Sequence, residues 1–133
     1  MTVGMRDFTK LKSWQRAHKL LVAIEVAAAR YPEHERYDLT RQTTRAARSI
    51  SSNISEGAGR RTGPDYARFI RMSASSCNEV ENHLLVARDL GYLPETTWAA
   101  LRSEVGQIRA MLTRLAQVLE ARPPGGERSR GPS

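Results

Sequence analysis

The side chains best placed to do chemistry in this chain are arginines. Arg41, Arg45 and Arg48 recur at spacings of four and three. At about 100° per residue this puts all three within about 40° of Arg41 on one helix face. Arg60 and Arg61 continue the row at the end of the same stretch. A guanidinium is always charged and offers a planar fork of donors that matches phosphate or carboxylate. The chemistry implied is anion binding, to a nucleic-acid backbone or to an acidic protein surface. Lys12, Arg16 and Lys19 form a second basic row at i, i+4 and i+7. Packed antiparallel through a short connection at 32–37, the two helices could present both rows on one outer surface. Charged rows are also how any soluble helix meets water, so two unrelated solvated faces are the plainer reading.

Nothing else in the sequence points to bond-making chemistry. His18, His34 and His83 are scattered, and no Cys-x-x-Cys or His-Glu-x-x-His spacing is present for zinc. A di-metal carboxylate site in a bundle needs Glu-x-x-His on two helices, whereas Glu79 precedes His83 by four and Glu25 has no histidine partner. Cys77 has no neighbouring acid or base and sits among Met72, Ala74 and Val80, which suits a small core residue better than a nucleophile. Gly57, Gly59 and Gly63 lack the Gly-Lys-Ser/Thr ending and the preceding strand of a phosphate loop and read as a helix stop and a turn. The expectation is a protein without metal, cofactor or enzymatic activity.

Composition bounds the class. A chain of 133 residues carrying a net charge of +7 is one domain with a modest core and an attraction to anionic surfaces. Its pI is near 10.3. With one cysteine no internal disulfide can form, which is compatible with a reducing cytoplasm. No apolar run approaches the roughly 20 residues that span a bilayer, and no signal-type block opens the chain. A cytoplasmic protein with no membrane partner is expected.

The elements that must hold the arginines are helices. The stretch Asp38–Arg61 is the centre: Leu39, Thr43, Ala46, Ala47, Ile50, Ile54 and Gly57 make an apolar face opposite the arginines, and its small side chains let a neighbouring helix come close. On its flank, Asn53 and Glu56 are candidates to hydrogen-bond across a helix or subunit contact, with Gly57 as the point of closest approach. A first helix is expected from Thr9, as N-cap, to about Arg30, with Leu11, Trp14, Ala17, Leu21, Ile24, Ala28 and Tyr31 as its seam. A third opens at Pro64 and stops at Gly91, burying Tyr66, Phe69, Ile70, Ser73, Cys77, Val80, Leu84, Ala87 and Leu90. A fourth runs from Thr96 or Thr97 to about Arg122, with the seam Trp98, Leu101, Val105, Ile108, Leu112, Leu115 and Leu119. Ala99, Met111 and Val118 widen that stripe, through a broader core or a second subunit. The organisation expected is a flexible N-terminus at 1–8, a helical domain at 9–122 and a disordered Pro/Gly/Ser-rich tail at 123–133.

The phrases RAARSISSNISEGAGRR at 45–61 and DYARFIRMSASSCNEVENHLLVARDLGYL at 65–93, together with FTKLKSWQRAHKLLVAIEVAA at 8–28, resemble the four helix bundle protein family, also called 23S rRNA-intervening sequence proteins. The resemblance covers roughly residues 8–119. It implies an all-α, up-and-down antiparallel four-helix bundle that assembles as a homopentamer. It further implies a gene inserted in a large-subunit ribosomal RNA gene or placed elsewhere on a bacterial chromosome. Two functions from different classes follow. One is a homo-oligomeric bundle whose basic surface binds RNA or DNA through phosphates. The other is an interaction scaffold for an acidic protein partner, such as an accessory subunit of a retroelement reverse transcriptase.

Overall fold

The computed structural model describes residues 7–121. The expected tail at 123–133, and the first part of the expected flexible N-terminus, lie outside the described residues. Four helices follow one another: α1 (Lys12–Ala28), α2 (Leu39–Ala58), α3 (Gly63–Asp89) and α4 (Glu95–Glu120). Among the described residues there is no strand. Each helix packs on the next and α4 packs back on α1, which closes a four-helix bundle through short turns.

Helix α1 does not start where sequence placed it. Thr9 lies inside a 3-10 turn (Phe8–Lys10), where its backbone N–H donates to the Asp7 carboxylate at 3.1 Å. The helix begins at Lys12, with Leu11 extended and no side-chain cap. Packing replaces capping here: Phe8 and Leu11 lie against the core, and the Phe8 ring meets Trp14 edge-on at 5.2 Å. The helix ends at Ala28 rather than Arg30, ahead of Pro32. Its buried seam is Ala17, Leu20, Ile24, Ala28 and Tyr31, while Leu11, Trp14 and Leu21 are only partly covered. Both Leu20 and Leu21 satisfy a three-four repeat from Ala17 to Ile24. The positions of α2 and α4 on either flank decide for Leu20.

Helix α2 buries every residue of its expected apolar face, with Ser51 and Ala58 in addition. It stops at Gly59, so Arg60 and Arg61 fall in the turn beyond it. Thr62 caps α3 by accepting from the Asp65 N–H at 3.2 Å, and Pro64 sits in the first turn. At the far end Gly91 adopts φ +81°, Tyr92 N–H bonds the Ala87 carbonyl at 2.8 Å, and Gly91 N–H bonds that of Arg88 at 2.9 Å. This left-handed stop turns the chain outward at Leu90, which is exposed rather than buried as expected. Helix α4 starts at Glu95, just after Pro94, slightly before the predicted threonines. Its seam is buried from Leu101 to Leu119 with Ala116 added, and Trp98 and Leu115 lie at the margin. Of the surplus apolar residues, Met111 is half-buried whereas Ala99 and Val118 remain on the surface.

Candidate nucleic-acid interface

The two basic rows arise from the same local rule, charged residues opposite a buried stripe, but the bundle treats their members differently. Arg16 turns toward α4 and forks the Glu104 carboxylate through two bonds of 2.8 Å, with a third to Gln107 Oε1 at 2.7 Å. Arg48 reaches α1, where Nε and Nη2 bond Glu25 Oε2 at 2.9 and 2.7 Å. Arg60 pairs with Glu56 and lies over the Phe69 ring with its guanidinium carbon 4.5 Å from the centroid. These three expected binding residues are therefore joined to the protein's own carboxylates and ring. Among the described residues, no carboxylate lies within ion-pair distance of Arg41, Arg45, Arg61, Lys12 or Lys19.

The unpaired cations do not form one patch. Arg41 and Arg45 occupy the first half of α2, one turn apart, with Cβ atoms about 6 Å from each other. Arg61 lies past the other end of the helix, about 20 to 25 Å away along its axis. Lys12 and Lys19 share the side of α1 that Arg16 turns toward α4, about 120° to 140° from Glu25, which faces α2. The shared outer surface anticipated for the two rows is thus interrupted by the Glu25–Arg48 pair. Arg45 borders a polar cleft of about 430 Å³ between α2 and α3, lined also by Gln42, Ser49 and Glu79.

Spacing alone does not mark Tyr37. It sits on the connection between α1 and α2 at 73% exposure, with the guanidinium carbons of Arg36 and Arg41 at 5.6 and 5.5 Å from its ring centroid. The signal for it in the sequence is local: an aromatic residue in the charged run EHERYD, with no apolar neighbour to bury it.

The flank residues expected to reach across a contact are satisfied at home. Asn53 Nδ2 donates to the carbonyl and hydroxyl of Ser49 in its own helix, at 2.9 and 3.0 Å, and Glu56 pairs with Arg60. An i, i+4 bond within the helix competes directly with a bond to a neighbour, and within this chain it prevails. The polar links that do cross are the Ser49–Ser76 hydroxyl pair at 2.8 Å and the Ser73 hydroxyl, which donates to the Ile50 carbonyl at 2.7 Å. Gly57 does mark a close approach. A Cβ there would stand 2.9 Å from Tyr66 Cδ1, 3.0 Å from Phe69 Cβ and 3.2 Å from the Tyr66 carbonyl oxygen.

The electrostatics are those of a scaffold with a charged rim. Bonds from Arg109, Arg16 and Arg71 hold the carboxyls of Glu81, Glu104 and Glu120, respectively, below the usual carboxylate range. Burial pushes the Cys77 thiol up to about 12, which leaves almost no thiolate at neutral pH. Among the described residues no three His, Cys, Asp or Glu side chains cluster as metal ligands. None of the described helices is long and apolar enough to cross a membrane.

The family model of the 23S rRNA-intervening sequence proteins matches residues 9–114, from the turn before α1 to near the end of α4. The chain belongs to that family. The match spans all four helices and contains Arg41, Arg45, Gly57 and Tyr37, so the features described above lie within the family domain. No curated protein matches the chain.

Proposed function

We propose that the protein is a non-enzymatic, homo-oligomeric bundle of the cytoplasm whose basic surface binds RNA or another nucleic acid through phosphate contacts. The observation that carries this reading is the pair Arg41 and Arg45. They are exposed and one turn apart, with no carboxylate of the described residues within ion-pair distance, on a helix whose third arginine, Arg48, is neutralised by Glu25. With few exposed rings, such a surface contributes charge more than sequence discrimination, so binding is strongly salt-dependent. Assembly is supported by Met72, Val86 and Leu90, which are 44%, 39% and 53% exposed and fall within about 40° of one another on the outer side of α3. A homopentamer, as the family resemblance implies, would give that apolar line a cover.

The test is a salt titration of fluorescence anisotropy on structured RNA and duplex DNA with wild type, Arg41→Gln/Arg45→Gln and Arg48→Gln. The double variant should keep its helicity. Its log–log salt slope should fall by about 0.9 for each phosphate it ceases to neutralise on duplex DNA and about 0.7 on a single strand. Arg48→Gln should change the slope little, because Glu25 already holds that charge. Equal slopes in wild type and double variant would remove the pair from binding. Absence of wild-type binding at low salt, with retention of a defined acidic protein in a pull-down, assigns the arginines to a protein partner.

A further inference from the structure

Three of the four tyrosines are used by the fold. Tyr31 and Tyr66 are 6% and 4% exposed, and Tyr92 packs against Tyr31 and donates its hydroxyl to Glu35 at 2.8 Å. Both tryptophans and both phenylalanines are at least partly covered. Tyr37 is the exception: it projects from the turn that leads into α2 and contributes nothing to the core. A single exposed aromatic is ordinary on a protein surface. What sets this one apart is its company, two arginines on one ring and an unpaired arginine one turn further along the same helix.

The guanidinium–ring pairs of this protein fall into two kinds. Arg60 and Arg68 lie 4.5 and 4.4 Å from the Phe69 centroid, and Arg88 and Arg102 lie 4.2 and 5.6 Å from that of Trp98, each ring being half-buried. At Tyr37 the distances are 5.6 and 5.5 Å, near the outer limit of about 6 Å for a cation over a ring, and the ring is solvent-exposed. The first kind seals a surface. The second is an exposed ring over which two guanidinium groups lie only loosely, so a flat ligand can displace one of them from the ring and keep its charge close by. Arg36 is partly neutralised by Glu33 at 3.2 Å, so the free charge beside the ring is that of Arg41, followed by Arg45.

We propose that Tyr37 is a stacking platform for one unpaired base of an RNA whose adjoining phosphates are held by Arg41 and Arg45. An aromatic face with flanking guanidinium groups is the combination by which single-stranded and looped RNA is held, because unpaired bases can leave their own stack and a duplex base cannot. The inference rests on the phosphate-binding reading and adds the ligand class: RNA with an unpaired loop or bulge is preferred over a continuous duplex.

The experiment compares two probes of equal length and charge, an RNA hairpin with an unpaired loop and a blunt RNA duplex, on wild type, Tyr37→Ala, Tyr37→Phe and Arg41→Gln. Tyr37→Ala should weaken hairpin binding about fivefold or more, the loss of one stacked base. Its duplex affinity and its salt slope should match wild type. Tyr37→Phe should bind as wild type does, and Arg41→Gln should lose affinity for both probes together with part of the slope. At 73% exposure Tyr37 can be changed without loss of fold, and an unchanged thermal melt verifies it. Salt-dependent binding of both probes that is indifferent to Tyr37→Ala overturns the platform and leaves the phosphate reading standing. An equal loss on hairpin and duplex also overturns it, since stacking cannot act on a closed duplex. Binding of neither probe by wild type overturns both readings. Loss of a co-purifying protein in Tyr37→Ala, with RNA affinity intact, overturns the platform in favour of a protein contact.

Discussion

The contact of α2 with α3 and the contacts that hold α4 are built from different materials. Between α2 and α3 the approach is close because α2 offers small residues: Gly57 stands directly against Tyr66 and Phe69, and Ser49 and Ile50 meet Ser76 and Ser73. Their polar links are neutral, hydroxyl to hydroxyl at 2.8 Å and hydroxyl to carbonyl at 2.7 Å. Helix α4 instead brings the long side chains Leu101, Val105, Ile108, Leu112 and Leu119 to the core, and its rims are closed by charge. Arg16 binds Glu104, Arg71 binds Glu120 at 2.8 Å, and Arg102 and Arg109 converge on Glu81. The first contact depends on volume and is blind to pH and salt. The second tolerates more variation in shape and responds to protonation.

The largest expected effect breaks the first contact. Gly57→Leu places carbon against the Tyr66 carbonyl and the Phe69 Cβ, neither of which is the free end of a flexible chain. Overpacking there should destabilise the protein by about 3 kcal/mol, against at most about 1 kcal/mol regained from replacing a glycine in the last turn of α2. Chemical denaturation measures it. The loss should be the same at pH 7 and pH 4 and at low and high salt; a salt-dependent loss would mean that the seam is not governed by volume.

Acid should act on the second contact. The carboxyls of Glu81, Glu104 and Glu120 are depressed in the folded protein, so their stabilisation is fully present above the unfolded carboxylate value of about 4.3 and is lost as pH falls through the lower folded values. The melting temperature should hold above about pH 5 and decline below about pH 4. Glu81→Gln should lower stability by about 1 kcal/mol at neutral pH and make the acid decline shallower. An acid limb of unchanged steepness would show that other carboxylates control it.

The smallest effect is a gain. The Tyr31 hydroxyl is enclosed without a hydrogen-bond partner among the described residues, and burial alone pushes it up to about 12. Tyr31→Phe should therefore raise stability by about 1 kcal/mol or less. A clear loss would reveal a bond that the hydroxyl makes, for example through a buried water.

Periodicity settled much of this protein. The apolar face of α2, from Leu39 to Gly57, emerges buried residue for residue, and Gly91 turns left-handed where its position after a heptad stripe requires a stop. These are local properties, because a repeat of three and four residues defines a face whatever it packs against. The choice between Leu20 and Leu21, the exposure of Leu90 and the replacement of a Thr9 cap by packing of Phe8 depended on neighbours distant in sequence. The candidate site divides in the same way. That Arg41, Arg45 and Arg48 share a face was legible from spacing alone. Which of them keeps its charge for a ligand was not, because Glu25 lies 23 positions from Arg48 and meets it only when α1 packs beside α2. Tyr37 between Arg36 and Arg41 depends on the path of the connecting turn, and only tertiary structure fixes which way a turn residue points when no apolar repeat constrains it.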